Sequence, residues 1–240
     1  MRNLKITIIG NSVALRTRPP EKFPLNKNYG QHLEEIIHSH SPDRSIFIHN
    51  KAQGATTIYN TIVKIDELIQ TFPDFFIVNL GVVDASTREI PLWFYRLASN
   101  KRDRLIYNIP EFLYRNIIIK FRPILVKLRF KRSWISFKEY KRYFEILIKS
   151  LIKETNAKII VLPINLANTR VEKALPGSLK KHIQYNNIMK SIALENDQEF
   201  IDLSFLETEK HFPDGIHYST IGHKIVADEI SKIIIKSLAK

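Results

Sequence analysis

Short apolar runs alternate with segments of helical periodicity along this chain of 240 residues. Apolar residues recur every three or four positions in 58–69 and 221–234, which predicts amphipathic helices. The apolar runs are rich in Ile, Val and Phe, and their length predicts strands buried on both faces. They are KITIIG (5–10), RSIFIHN (44–50), DFFIVNLG (74–81), AKIIVLPIN (157–165) and EFIDL (199–203).

The alternation of strand and helix predicts an α/β fold with a parallel sheet and helices on both faces. A hydrophobic content of 44% is enough for a full core, so we expect one domain over 1–240. In such sheets ligands bind beyond the carboxyl ends of the strands. The residues that follow each strand are therefore the candidates for chemistry.

Composition restricts the compartment and the kinds of site. The chain has no cysteine, which excludes disulfides and thiolate metal sites and suits a reducing compartment. The apolar run near the N-terminus is too short for a signal peptide, and no segment has the roughly 20 apolar residues of a membrane span. We expect a cytoplasmic protein, with a peripheral position at the inner membrane face as a further hypothesis.

The net charge of +13 is concentrated in one region. From Arg96 to Arg132 there are eleven Lys or Arg and two acidic residues, a net charge of +9, so the rest of the chain carries only +4. A single basic region indicates a particular acidic partner rather than general nucleic-acid binding.

A serine, a histidine and a carboxylate follow strands of the predicted sheet. Ser12 comes after the first strand, and the loop PDGIHYST carries Asp214 and His217 after the fifth. Acyl transfer needs such a set, because a serine hydroxyl becomes nucleophilic only when a base takes its proton. His217 is the candidate base and Asp214 the residue that orients it, while backbone N–H groups near Ser12 and Gly54 would face the oxyanion. The alternative for Asp214 and His217 is a turn followed by a helix cap.

Four blocks of the sequence together resemble the SGNH/GDSL hydrolase family. They are G-N-S at 10–12, Gly54 after the second strand, G-x-x-D at 81–84, and D-x-x-H at 214–217 followed by S-T-I-G-H. The resemblance implies a flavodoxin-like α/β/α sandwich with a five-stranded parallel sheet. It also implies Ser12 as nucleophile, His217 as base, Asp214 as orienting acid, and the Ser12 and Gly54 N–H groups as the oxyanion hole.

Two blocks depart from the family pattern. Asn11 replaces the usual aspartate, but it is nearly isosteric and can still form a hydrogen bond within its loop. Val83 replaces the asparagine whose side chain donates to the oxyanion in the family. Loss of one such donor reduces the rate by about 10²- to 10³-fold. Asn50 and Asn79 are weak candidates for a substitute.

The segment GVVDASTR is similar to a subset of SGNH-like proteins associated with bacterial surface-polysaccharide biosynthesis. That similarity favours an O-acylated sugar or glycan precursor as substrate. It makes Asn11, Val83, Asp84 and Arg88 candidate substrate-binding residues, with Arg88 placed to bind an acidic sugar or phosphate. The alternative is that Arg88 is a surface residue that pairs with Glu89 or is solvated.

About 70 residues separate Asp84 from the next predicted strand, far more than a crossover needs, so we expect a helical insertion at about 90–133. Pro110 and Pro123 should break it into short helices. Its apolar and basic residues, in 96–132, suit an anionic membrane surface. Single-stranded nucleic acid is a weaker alternative, because no nucleic-acid motif is present. In another alternative the apolar residues only pack the insertion onto the domain; these are Phe112, Ile117, Ile118, Ile119, Leu125 and Leu128.

The histidines lack the spacing of a metal site, so we expect neither metal nor cofactor. Apart from His217, most are predicted to be surface or capping residues. The sequence thus predicts a metal-independent serine esterase or acyltransferase that works through an acyl-enzyme on Ser12. Two alternatives stay open: a catalytically weak carbohydrate-binding or scaffold protein of polysaccharide biosynthesis, and a protein that binds anionic membrane or nucleic acid through the insertion.

Overall fold

The computed structural model describes residues 3–15, 27–99 and 105–239 of the chain. Its sheet has five parallel strands in the order β2-β1-β3-β4-β5. The strands are β1 (Leu4–Gly10), β2 (Ile46–Asn50), β3 (Phe75–Asn79), β4 (Lys158–Val161) and β5 (Glu199–Phe200). All five lie within or next to the predicted runs, and the strand order is that of the predicted flavodoxin-like sandwich.

Helices cover the sheet and fill the crossovers between strands. Helix α1 packs against α12, while α8 packs against α2, α3 and α10. The helices are α1 (Tyr29–His40), α2 (Ile58–Val63), α3 (Ile65–Ile69), α4 (Val82–Ala85), α5 (Leu92–Ser99), α6 (Leu105–Leu113), α7 (Arg122–Leu128), α8 (Phe137–Glu154), α9 (Thr169–Ala174), α10 (Ser178–Glu195), α11 (Thr208–His211) and α12 (Thr220–Leu238). A 3₁₀ turn (Ser12–Ala14) follows β1, and a π-helical turn (Tyr114–Ile118) follows α6.

Burial differs between central and edge strands. Every residue of β3 is buried, and so are six of the seven residues of β1. In β2, by contrast, no residue is fully buried, and Phe47 is 46% exposed. The prediction of burial on both faces is therefore wrong for β2 and for β5, whose two residues are half-buried, because each strand pairs with a single neighbour and forms an edge of the sheet.

The two ends of the segment between α4 and α8 pair with each other; these paired ends, residues 87–88 and 132–133, are here called the neck. Thr87 and Ser133 form an antiparallel bridge, and the Arg88 N–H donates to the Arg132 carbonyl at 2.9 Å. Pro123 lies in the first turn of α7, as expected. The prediction for Pro110 is wrong, since α6 continues through it to Leu113 and the chain changes to a π-helical turn afterwards.

Several apolar residues of this segment do not pack on the domain. Phe112 is 62% exposed, Leu128 69%, Ile117 45% and Ile119 41%. The alternative in which these side chains only fix the insertion to the domain is therefore wrong for these four. Of the basic region 96–132, residues 100–104 lie outside the described residues. None of the helices in the described ranges has both the length and the apolar character to cross a bilayer.

Candidate active site

Ser12 lies in a tight turn at the carboxyl end of β1. A Cβ atom at Gly10 would stand 2.8 Å from the Ala14 Cβ and 3.2 Å from the Asn79 carbonyl oxygen, so only glycine lets the turn approach β3. The Asn11 side chain accepts a hydrogen bond from the Val13 N–H at 3.1 Å. The expected hydrogen bond within the loop is thus confirmed. Asn11 is only 1% exposed, so it shapes the turn and does not face a substrate.

The loop before α12 carries Asp214 and His217. Gly215 has φ +83°, a conformation that favours glycine, and a Cβ there would lie 2.4 Å from the Asn168 Oδ1. The Asp214 Oδ1 accepts from the backbone N–H of Ile216 at 3.0 Å and of His217 at 2.8 Å. Ser219 caps α12 by accepting a hydrogen bond from the Gly222 N–H at 3.1 Å. The loop is therefore both a turn with a cap and the carrier of the acid and the histidine.

Ser12, His217 and Asp214 form a continuous hydrogen-bonded chain. The Ser12 Oγ lies 2.8 Å from the His217 Nε2, and the His217 Nδ1 lies 2.7 Å from the Asp214 Oδ2. Burial alone would raise the pKa of Asp214, but the hydrogen bonds from the His217 ring and backbone outweigh it and lower the pKa to about 2. Asp214 is therefore ionised at neutral pH and favours the tautomer that leaves Nε2 free to accept from the serine.

Asn165 supports this loop from the end of β4 and was missed in the sequence. Its Nδ2 donates to the Ile216 carbonyl at 2.7 Å, and the residue is 6% exposed. The only sequence signal was an amide at the end of an apolar run. The contact fixes the backbone between Asp214 and His217 to the sheet.

The loop after β2 runs beside the Ser12 turn. The Gln53 N–H donates to the Gly10 carbonyl at 3.0 Å, and Gly54 follows as an exposed residue. Within the described ranges, no hydrogen bond uses the N–H of Ser12 or of Gly54. The Asn50 side chain is not available as a substitute oxyanion donor, because its Nδ2 donates to the Ala14 carbonyl at 2.9 Å. The Ser12 and Gly54 N–H groups are thus available for the predicted oxyanion hole, because no described residue accepts a hydrogen bond from them.

The residues at 83 and 84 are buried in helix α4. Val83 is 6% exposed and Asp84 is fully buried, with its Oδ1 accepting from the Ile58 N–H at 2.9 Å. Burial raises the pKa of Asp84 to about 7, against the lowering effect of the Ile58 hydrogen bond. The prediction of substrate contact is corrected for Asp84, because its carboxyl group holds the start of α2 inside the domain.

Arg88 is neither a surface residue nor a partner of Glu89. Its guanidinium lies 4.1 Å above the centre of the Trp134 ring, and Nη2 donates to the Val83 carbonyl at 3.2 Å. Glu89, 4% exposed, instead pairs with Arg122 at 3.0 Å. The alternative of a solvated or Glu89-paired Arg88 is therefore wrong.

Buried polar contacts tie the same segment to α10. The Ser86 Oγ lies 2.9 Å from the Nε2 of fully buried His182, and the Thr87 N–H donates to the Ser178 Oγ at 3.1 Å. Burial lowers the pKa of His182 to about 4, so the ring is neutral. The polar residues of GVVDASTR thus anchor the neck of the insertion.

The prediction that most histidines other than His217 lie at the surface is confirmed for His38, His40 and His49, but His211 and His223 are buried. His223 is fully buried, with its Nδ1 accepting from the Tyr29 N–H at 3.1 Å, and His211 is 5% exposed. Both lie under the loop that carries His217, where they pack the helix ends.

Two cavities lie at the carboxyl ends of the strands, one beside Gly10 and the other beside Asn165. One, of about 240 Å³, follows β1 and β2 and is lined in part by Gly10, Asn50, Gln53 and Thr56. The other, of about 250 Å³, follows β4 and β5 and is lined in part by Asn165 and Phe212. Both open at the carboxyl edge of the sheet, where ligands of α/β proteins bind.

No protein-family profile and no curated protein matches the sequence. The structure, however, is similar to solved hydrolases over almost its whole length. An acetyl xylan esterase from Geobacillus stearothermophilus has a TM-score of 0.62 at 19% identity, covering 95% of this chain and 93% of that one. A lipase/acylhydrolase from Enterococcus faecalis has a TM-score of 0.64 at 15% identity, covering 96% and 95%.

An α/β hydrolase enzyme from the metagenome of Lake Arreo has a TM-score of 0.61 at 16% identity, covering 95% of this chain and 93% of that one. Several structures of the acetyl xylan esterase are catalytic mutants in which a serine, an aspartate or a histidine is changed to alanine. In that esterase the aspartate and the histidine are three positions apart. The likeness confirms the predicted fold: the chain has the five-stranded α/β/α sandwich of SGNH hydrolases.

Proposed function

We propose that the protein is a serine esterase that removes acyl groups from O-acylated carbohydrate through an acyl-enzyme on Ser12. The hydrogen-bonded chain from Ser12 through His217 to Asp214 carries this proposal. It supplies a nucleophile, a base and an orienting acid at hydrogen-bonding distance. The acetyl xylan esterase supports it, because its catalytic aspartate and histidine have the same spacing as Asp214 and His217.

In the first half-reaction the Ser12 Oγ attacks the ester carbonyl carbon while the His217 Nε2 takes the hydroxyl proton. Asp214 stays ionised and stabilises the imidazolium that forms, as its lowered pKa of about 2 favours. The tetrahedral intermediate then collapses. The bond to the sugar oxygen breaks, that oxygen receives the proton from His217, and the acyl group remains on Ser12.

The negative charge of the intermediate needs hydrogen-bond donors in place before the reaction. The N–H groups of Ser12 and Gly54 are the candidates, because neither is engaged among the described residues. Val83 presents no donor at the position where the family has asparagine. We therefore expect a slower reaction than in a family member with the full set of donors.

In the second half-reaction His217 takes a proton from an acceptor hydroxyl, whose oxygen attacks the acyl carbon. The bond from that carbon to the Ser12 Oγ then breaks, and the Oγ receives the proton from His217. Water as acceptor gives hydrolysis, and a sugar hydroxyl gives acyl transfer. Both share the acyl-enzyme, so an acyltransferase is the variant of this proposal in which a sugar outcompetes water.

Carbohydrate esters are the proposed substrates because the cavity that follows β1 and β2 is lined in part by amide and hydroxyl side chains, and because the esterase above acts on acetyl xylan. A role in surface-polysaccharide biosynthesis rests on the similarity of GVVDASTR alone. The burial of Asp84 and the packing of Arg88 on Trp134 give that segment a structural role instead.

The test is intact-mass analysis after exposure to a fluorophosphonate, together with acetate release from p-nitrophenyl acetate and acetylated xylo-oligosaccharides. We expect one adduct on the wild type and none on Ser12→Ala or His217→Ala. Matched controls are Ser39→Ala and His49→Ala, which change an exposed serine and histidine away from the site. Addition of free xylo-oligosaccharide distinguishes transfer from hydrolysis through an acetylated product.

A folded wild type without an adduct and without ester hydrolysis would contradict the proposal. That result would favour the catalytically weak, carbohydrate-binding alternative. An adduct that persists in Ser12→Ala would place the reactive residue elsewhere and also reject the assignment.

A further inference from the structure

The insertion exposes an unusual number of large apolar side chains. Of the 21 such exposed residues in the described ranges, nine lie between 93 and 130. They are Trp93, Ile109, Phe112, Ile117, Ile119, Phe121, Ile124, Leu128 and Phe130. Isolated exposed apolar residues are ordinary, but a concentration of them marks an interaction surface.

Four of these residues form an exposed row, here named the apolar stripe. Ile117, Phe121, Ile124 and Leu128 follow at intervals of four, three and four positions and are 45%, 53%, 57% and 69% exposed. Such intervals place side chains on one side of a helical segment. The stripe therefore runs along the π-helical turn and α7.

The opposite side of α7 already attaches the insertion to the domain. Val126 is fully buried and clusters with Ala167, Val171 and Leu175, and Ile216 packs against the same cluster. Glu89 and Arg122 add an ion pair at 3.0 Å near the neck. The apolar stripe is thus not needed to hold the insertion, because the opposite face of α7 makes the contact with Ile216 in the loop of Asp214 and His217.

Exposed cations accompany the stripe. Lys120, Lys127, Lys131 and Arg132 are all exposed, and the ion pairs found among the described residues include none of them. Lys120 and Lys127 lie between residues of the stripe along the chain, and Lys131 and Arg132 follow its last residue. The surface therefore combines apolar side chains with uncompensated positive charge.

We propose that the apolar stripe and these four cations form a docking surface for an anionic lipid bilayer. Aliphatic and aromatic side chains enter the boundary between headgroups and acyl chains, while the cations meet anionic headgroups. Single-stranded nucleic acid fits less well, because it stacks on aromatic rings and three of the four stripe residues are Ile or Leu.

The test is sedimentation with vesicles of phosphatidylcholine and phosphatidylglycerol, and with phosphatidylcholine vesicles alone. The Ser12→Ala protein is used as the parent, so that binding is measured whether or not the esterase proposal holds. We expect binding to the anionic vesicles only, and weaker binding as salt is added.

Two double variants examine the two components. Ile124→Ser with Leu128→Ser removes apolar contact, and we expect the partition coefficient to fall about tenfold or more. Lys120→Ala with Lys127→Ala removes two charges, which corresponds to a fall of roughly 30-fold. Matched controls elsewhere on the surface should bind like the parent; they are Ile183→Ser with Leu194→Ser, and Lys141→Ala with Lys236→Ala.

Several results would overturn the proposal. They are absence of binding to anionic vesicles, equal binding to neutral vesicles, and stripe variants that bind like the parent. Sedimentation velocity and a labelled single-stranded oligonucleotide test the other occupants. If the parent does not bind vesicles but self-associates, and only the stripe variants lose this self-association, the surface belongs to a second copy. If the parent instead binds the oligonucleotide and only the stripe variants lose that binding, the surface belongs to nucleic acid.

Discussion

Asp84→Asn is the change whose effect can be worked out most fully from the structure. The carboxyl group is fully buried, accepts one hydrogen bond from the Ile58 N–H, and has a pKa raised to about 7 by burial. In the unfolded chain its pKa returns to the ordinary value of 3.8. The folded protein therefore keeps a proton that the unfolded chain loses between these two values.

This difference makes Asp84 a source of pH-dependent stability. Its stabilising effect is fully present below pH 3.8 and is lost as the pH rises to about 7, because ionisation inside the protein is unfavourable. One pKa unit corresponds to about 1.36 kcal/mol, so Asp84 should lower the free energy of unfolding by about 3 kcal/mol between about pH 4.5 and pH 8. The amide introduced by Asp84→Asn cannot ionise, and its oxygen can still accept from the Ile58 N–H.

The measurement is urea unfolding of the wild type and of Asp84→Asn at several pH values. Between about pH 4.5 and pH 8 the wild type should lose about 3 kcal/mol of its free energy of unfolding, and Asp84→Asn should not show this loss. Asp84→Ala is the control, because it also removes the charge but leaves the Ile58 N–H without an acceptor, so it should be less stable than Asp84→Asn at every pH. Parallel curves for the wild type and Asp84→Asn would refute the reasoning.

Three further predictions concern the proposed esterase. Asp214→Asn should lower kcat for p-nitrophenyl acetate by about 10⁴-fold at unchanged KM, since the His217 tautomer is no longer fixed; an equal loss in Asp43→Asn, at an exposed position far from the site, would contradict this. Val83→Asn should raise kcat by about tenfold or more by adding an oxyanion donor, whereas Val82→Asn should not. Gly215→Ala should remove most activity, because the added Cβ would lie 2.4 Å from the Asn168 Oδ1 and displace the loop. Circular dichroism checks that the variant folds, and retained activity in a folded variant would refute the prediction.

Chain order made the main features of the site predictable. Ser12 follows β1, and the loop of Asp214 and His217 follows β5, so parallel strands bring both to one edge of the sheet. The three side chains lie at the ends of strands and helices that the hydrophobic periodicity of the sequence already predicts. The fold was predictable for the same reason, since each apolar run is a local feature.

Edge positions and long-range contacts were not predictable. The composition of β2 is that of a buried strand, and only its pairing with β1 alone explains its exposure. The burial of Asp84 depends on the Ile58 N–H, 26 positions away, and the place of Arg88 depends on Trp134. Contacts with such distant partners leave no local pattern in the sequence. Because these contacts were hidden, the polar residues of GVVDASTR resembled a binding segment.

The closed neck has a consequence for how such a protein can diversify. The bridge between Thr87 and Ser133 brings both ends of the insertion together, so a short turn can replace everything between them without moving the sheet. Such a replacement would also remove the contacts of Val126 but would leave Ser12, His217 and Asp214 on their own elements. The insertion is thus a part of the chain that can be exchanged, and the surface it presents can change separately from the arrangement of Ser12, His217 and Asp214.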